Sequence, residues 1–83
     1  MKVDIEIFDK KSVISFKQKD FTKIDELRAI CCAMANRFCF EAGSLWSDDF
    51  ESFVKVLQPR KTYWIIVGIS SNGNPIVQWG VLE

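Results

Sequence analysis

The stretch YWIIVGISSNGNPIVQWGVL, residues 63–82, decides the fold. Two runs rich in β-branched and aromatic residues flank Asn72-Gly73. Asn-Gly between two such runs is the strongest short-range signal of a β-hairpin. A two-residue loop at Asn72 and Gly73 places Ser71 opposite Asn74, and the register of the whole strand pair follows from that.

This register predicts which side chains share a face of the hairpin. It pairs Trp64 with Val81, Ile66 with Trp79 and Gly68 with Val77, so that both faces are apolar, although a sheet with helices on one side needs only one apolar face. Clustered exposed tryptophans mark interaction sites, so the second face is either covered within the domain or an interface. The candidate interaction surface consists of Trp64, Ile66, Val77, Trp79 and Val81.

A second hairpin is predicted near the start of the sequence. Val3, Ile5 and Ile7 alternate with charged residues, which indicates a half-buried strand. A polar turn at residues 9–12 follows, and residues 13–17 form the next strand, with its two larger apolar side chains, of residues 14 and 16, on one face.

A long helix is predicted after this hairpin. The spacing of its apolar residues is helical, Thr22 can cap its start, and the pattern continues to about residue 42, where Gly43 stops it. The apolar seam consists of Ile24, Leu27, Cys31, Met34 and Phe38.

The reverse face of this helix carries small residues, including Ala29 and Ala33, where a surface helix normally shows Lys and Glu. Small residues at these spacings allow another backbone to approach closely. The second helix packs there, or the stripe is a site of self-association or partner binding.

A second helix is predicted from Ser47, which caps it, until Pro59 ends it. Trp46 precedes the cap and can fold back on the first turn. Asp48 and Asp49 suit the positive end of the helix dipole. The three acidic residues Asp48, Asp49 and Glu51 are interpreted as helix-capping residues, and the alternatives are an acidic contact patch or a metal-binding group. With Trp46 they form the secondary candidate surface.

The elements together predict one small α+β domain over residues 1–83, with a four-stranded antiparallel sheet and the order β-β-α-α-β-β. That order occurs in unrelated proteins and does not give a function.

The composition excludes most catalytic chemistry. The sequence has no His, and its three Cys residues, Cys31, Cys32 and Cys39, form neither a CxxC pair nor an even disulfide set. No phosphate-binding, hydrolase or metal-binding motif is present. We therefore predict no catalytic residue, no cofactor and no metal site, and three reduced thiols that act as small apolar residues.

Eleven basic residues balance eleven acidic ones, so nucleic-acid binding is disfavoured. Charges interrupt the first residues at every second position, and no apolar run, residues 63–67 included, approaches the length of a membrane span. A cytoplasmic protein without membrane association is expected.

Small chains without a catalytic site are typically binding proteins. The sequence predicts a non-enzymatic protein-binding protein, of the inhibitor, immunity or phage-antagonist and adaptor type, whose protein partner it does not identify. The alternatives are a homo-oligomeric structural or regulatory domain and, with least support, a nucleic-acid-binding protein that stacks bases on sheet aromatics.

Overall fold

The computed structural model describes residues 3–20, 24–40 and 47–82. Its elements follow the order β-β-α-α-β-β, and the four strands form one antiparallel sheet in the order β1-β2-β3-β4, which confirms the predicted fold class. The elements are β1 (Asp4–Ile7), β2 (Lys11–Lys17), a 3₁₀ turn (Gln18–Asp20), α1 (Ile24–Arg37), α2 (Asp48–Lys55), β3 (Thr62–Ile69) and β4 (Pro75–Val81).

Both helices pack on the same face of the sheet, which we call the helix face. The central strands β2 and β3 alternate between buried and partly exposed residues, as expected for a sheet with one covered side. One contiguous core joins this face to the helices. The buried residues of the core are Ile14, Phe16, Leu27, Cys31, Ala35, Phe50, Tyr63, Ile65 and Val67.

The β3–β4 hairpin has a three-residue loop, so the predicted two-residue loop is wrong. The Ser70 N–H donates to the Asn74 carbonyl at 2.8 Å, and the Gly73 N–H donates to the Ser70 carbonyl at 2.9 Å. Gly73 has a φ of 81°, in the left-handed region. In three-residue hairpin loops a turn is commonly followed by a glycine in the left-handed region, as here. The Asn-Gly sequence is compatible with this loop as well as with the two-residue loop.

The longer loop shifts the register by one residue. Ile65 lies opposite Trp79, Val67 opposite Val77 and Trp64 opposite Gly80. Because side chains alternate between faces, a shift of one residue turns every side chain of β4 to the other side. The prediction that Trp64 and Trp79 share a face is therefore wrong.

Helix α1 ends earlier than predicted, at Arg37 instead of near residue 42. The Cys39 N–H donates to the Asn36 carbonyl at 3.1 Å, and the Phe40 N–H donates to the Ala35 carbonyl at 3.1 Å. With Cys39 at a φ of 61°, these bonds form a Schellman motif. A non-glycine residue ends the helix here, and Gly43 and Thr22 lie outside the described residues.

The predicted cap of the second helix is confirmed. The Ser47 hydroxyl accepts a hydrogen bond from the Phe50 N–H at 3.2 Å, and α2 runs from Asp48 to Lys55. Its apolar residues face the core as expected, with Phe50 fully buried. The helix ends four residues before Pro59, so the proline follows the helix and does not itself terminate it.

Candidate interaction surface

The sheet face opposite the helices, which we call the open face, is covered by neither α1 nor α2, because the described parts of both helices pack on the helix face. By strand alternation and register, this face carries a row of apolar side chains that runs across β2, β3 and β4. These residues, Val13, Trp64, Ile66 and Ile76, are all partly exposed and form what we call the Trp64 patch.

Trp64 lies on the central strand β3, and its cross-strand neighbour on β4, Gly80, leaves room for its indole. A Cβ atom added to Gly80 would lie only 2.8 Å from Cζ2 and 3.1 Å from Nε1 of Trp64. The indole therefore rests on the Gly80 backbone and reaches toward the outer edge of β4. A larger residue at position 80 would displace it.

Charges of both signs surround the Trp64 patch. Asp4 and Glu6 on β1 point to the open face beside Ser15 and Val13, by their register with β2. Lys11 and Lys17 point to the same face from the two ends of β2. The face therefore has an apolar centre and a mixed charged border.

A shallow groove of about 380 Å³ runs along the outer edge of β4. Some of the residues that line the groove point to the open face and others to the helix face. The groove therefore lies at the edge of the strand, where both faces meet, and not within one face. The residues that line it are Trp64, Val77, Gln78 and Trp79.

Trp79 belongs to the core side of the molecule. Its ring centroid lies 5.1 Å from that of Phe50 and 5.9 Å from that of Phe53, and Phe53 in turn lies 5.7 Å from Tyr63. Offset and tilted aromatic pairs at these distances stabilise a fold beyond the area they bury. Trp79 therefore attaches β4 to α2.

The five residues of the predicted surface do not lie together. Trp64 and Ile66 lie on the open face, whereas Val77, Trp79 and Val81 lie on the helix face. Val77 and Trp79 pack against the core, and Val81 is 45% exposed at the end of the strand.

The secondary acidic candidates lie on α2, on the other side of the sheet. Asp48 and Asp49 are exposed, and Glu51 forms an ion pair with Arg28 of α1 at 3.6 Å. Among the described residues, no three His, Cys, Asp or Glu side chains are close enough together to hold a metal ion. Trp46, predicted to accompany these residues, lies outside the described part of the chain.

The small-residue stripe of α1 is exposed. Ala29 and Ala33 are both accessible to solvent, so the first alternative, that the second helix packs on them, is wrong, and a self-association or partner site stays a prediction. The core side of α1 includes the fully buried Ala35, which the predicted seam omitted.

The Cys31 thiol is not an activated nucleophile of the kind that enzymes use. Burial, with a smaller effect from Cys32, raises the pKa of Cys31 to about 12, so that this thiol stays protonated at neutral pH. Cys31 has no exposed surface, which agrees with the prediction that it acts as a core packing residue.

Sequence reasoning missed three residues of the open face: Val13, Ile76 and Gly80. Val13 was detectable, because it alternates with Ile14 on the second strand and so faces the other side of the sheet. Ile76 and Gly80 were not detectable, because their face depends on the length of the β3–β4 loop.

Comparison of the chain with models of protein families, with curated proteins and with solved structures finds no match. Within the described ranges, no helix is both long and apolar enough to cross a membrane.

Proposed function

We propose that this chain is a small non-enzymatic protein-binding protein, of the inhibitor or adaptor type, and that it binds its partner through the open face. The observation that carries the proposal is the Trp64 patch, an apolar strip that neither described helix covers. Tryptophan is the residue most enriched at the energetic centres of interfaces, since it buries a large area at little conformational cost.

The surroundings of Trp64 support a role as a binding anchor. The indole rests on Gly80 and has Ile66 two residues away on the same strand, so its position is defined before a partner arrives. A preorganised anchor loses less conformational entropy on binding. The charged border of the face can orient a partner with complementary charges, which an apolar centre alone cannot do.

The absence of His from the sequence and the protonated Cys31 thiol support a non-enzymatic role. The mixed charges of the open face favour a protein over a nucleic acid, because Lys11 and Lys17 are offset by Asp4 and Glu6 on the same face.

Capture with the immobilised chain from an extract of its source cells, followed by mass spectrometry, identifies the partner. Its affinity is then titrated against the wild-type chain, Trp64→Ala and the control Val56→Ala. Val56 is 70% exposed on the helix side of the molecule. Val56→Ala therefore measures how much affinity is lost when an exposed apolar side chain outside the open face is removed.

We expect Trp64→Ala to weaken binding about thirtyfold or more, which corresponds to about 2 kcal/mol, while Val56→Ala stays within about threefold of wild type. Circular dichroism checks that both variants remain folded. Equal affinities of the two variants would contradict the proposal, and a partner released by moderate salt together with nucleic acid would favour the nucleic-acid alternative.

A further inference from the structure

The outer edge of β4 is an open hydrogen-bonding edge. β4 is the last strand of the sheet order, and no described element pairs with its outer side. The Leu82 N–H donates to the Thr62 carbonyl at 2.9 Å, and the Asn74 carbonyl accepts from Ser70 at 2.8 Å, so even-numbered residues bond inward to β3. Since these bonds alternate along an antiparallel strand, the backbone groups of Val77, Trp79 and Val81 point outward.

This edge lacks the features that protect strand edges. β4 has seven residues and no charged side chain, and its proline is at the first position, outside the part of the strand that would pair. The opposite edge, β1, has four residues, two of which are Asp4 and Glu6. Only the β4 edge therefore offers a long, uncharged template for another strand.

We propose that β4 pairs with β4 of a second copy of this chain, in antiparallel orientation, to form a dimer with a continuous eight-stranded sheet. Antiparallel pairing of a strand with its own copy is self-complementary under a two-fold axis. The formal net charge of the chain is zero, so long-range repulsion does not oppose self-association.

The outward groups select a register for this pairing. With Trp79 opposite Trp79 of the second copy, Val77 lies opposite Val81, and all three outward N–H groups and all three outward carbonyls of each copy are bonded. If the second strand is shifted by two residues, Val81 lies opposite Pro75 of the second copy, and Pro75 has no N–H to donate. The groove along β4 is then filled by the second strand, and Gln78 of the second copy lies opposite Gly80, beside the indole of Trp64.

The length of the paired edge sets the expected affinity of the dimer, and the direction of the two-fold axis sets where the two Trp64 patches lie. Seven residues give about 24 Å of edge, a narrow seam beside the roughly 1,600 Å² of a standard interface, so we expect a dissociation constant on the order of 10⁻⁴ M. A two-fold axis perpendicular to the sheet places both Trp64 patches on one continuous face. This inference does not rest on the proposed function, since pairing of β4 requires no other partner.

Amide hydrogen exchange measured by NMR on the wild-type chain tests the proposal residue by residue. With a dissociation constant of about 10⁻⁴ M, the outward amides of Val77, Trp79 and Val81 exchange about fourfold more slowly at about 1 mM than at about 20 µM. The outward amides of Ile5 and Ile7 on β1 are the internal control and exchange equally at both concentrations.

A proline variant tests the same edge by sedimentation equilibrium. Val81→Pro removes one outward N–H from each copy at a position where a strand edge accepts proline, and we expect dimerisation to weaken about tenfold or more. Val81→Ala, which keeps the N–H, and Ile5→Pro, which changes the other edge, leave the dimer within about threefold of wild type. Circular dichroism verifies that each variant is folded.

Two results would overturn the proposal. A chain that stays monomeric at about 1 mM, well above the expected dissociation constant, excludes self-pairing and leaves the edge to a strand from a different protein. A dimer whose Val77, Trp79 and Val81 amides exchange at the same rate at both concentrations excludes the β4 edge and assigns the contact to the Trp64 patch or to Ala29 and Ala33.

Discussion

The two tryptophans of the β3–β4 hairpin are expected to differ sharply in their contribution to stability. Trp79→Ala removes a side chain from the aromatic cluster with Phe50 and Phe53, whose ring centroids lie 5.1 and 5.9 Å away. Trp64→Ala removes a side chain that rests on Gly80 on the open face, with no helix above it.

The structure gives the expected magnitudes. Truncation of a fully buried tryptophan costs about 3–5 kcal/mol, and because Trp79 is partly exposed we expect about 3 kcal/mol. Trp64 loses contacts on one side only, and we expect about 1 kcal/mol. A domain of this size has a total stability of about 4–12 kcal/mol, so the first change removes a large share of it and the second does not.

Urea denaturation followed by far-UV circular dichroism measures both values, and thermal melting provides a second reading. About 1 kcal/mol corresponds to about 4–8 °C in Tm for a domain of this size, so Trp79→Ala is expected to lower Tm by at least about 12 °C. Trp79→Phe retains an aromatic ring at the position and is expected to recover about half of the loss.

Equal losses for Trp64→Ala and Trp79→Ala would refute this reasoning. The hairpin with a two-residue loop places both indoles on one face, and the two variants would then behave alike. A larger loss for Trp64→Ala than for Trp79→Ala would place Trp64 in the core and would also contradict the open face on which the proposed function depends.

Three further predictions concern the backbone and the buried thiol. Cys39→Gly is expected to stabilise the domain by about 1 kcal/mol in urea denaturation, because Cys39 has a φ of 61° that glycine adopts without strain, and a loss would contradict the Schellman motif. Gly68→Ala is expected to cost about 2–3 kcal/mol, because its Cβ would lie 2.8 Å from the Lys11 Cα, whereas Gly80→Ala, which meets only the movable Trp64 side chain, costs less. Burial raises the pKa of Cys31 from 9.0 to about 12, so the contribution of this thiol to the free energy of unfolding does not change with pH below about 9. As the pH rises from 9 toward 12 this contribution falls by about 1.4 kcal/mol per pH unit, because the unfolded chain loses the proton first. Cys31→Val is expected to remove this part of the alkaline slope, and an unchanged slope would show that the thiol is not buried.

Local signals determined the fold class. The alternation of β2, the helical spacing around Leu27 and Cys31, and the Ser47 cap each depend on neighbours within a few residues, and the structure confirms them. The prediction that the first strand is half-buried is wrong, because all four residues of β1 are exposed. The element order follows from the two hairpins with the helices between them, whereas the sheet order depends on the pairing of β2 with β3, a contact between strands far apart in the chain. The central position of Trp64 on β3 was also readable, whichever loop joins β3 to β4.

The tertiary structure decided which face β4 presents, where α1 ends and what lies on each side of the sheet. Asn72-Gly73 suits a two-residue and a three-residue loop, and the aromatic cluster that holds Trp79 against Phe50 exists only with the longer one. Helix propensity alone does not end α1 at Arg37, because a left-handed Cys39 is unfavourable until Phe40 packs against the core. In each case contacts between residues far apart in the chain outweigh a local preference of about 1 kcal/mol, and those contacts are not visible in any short window of sequence.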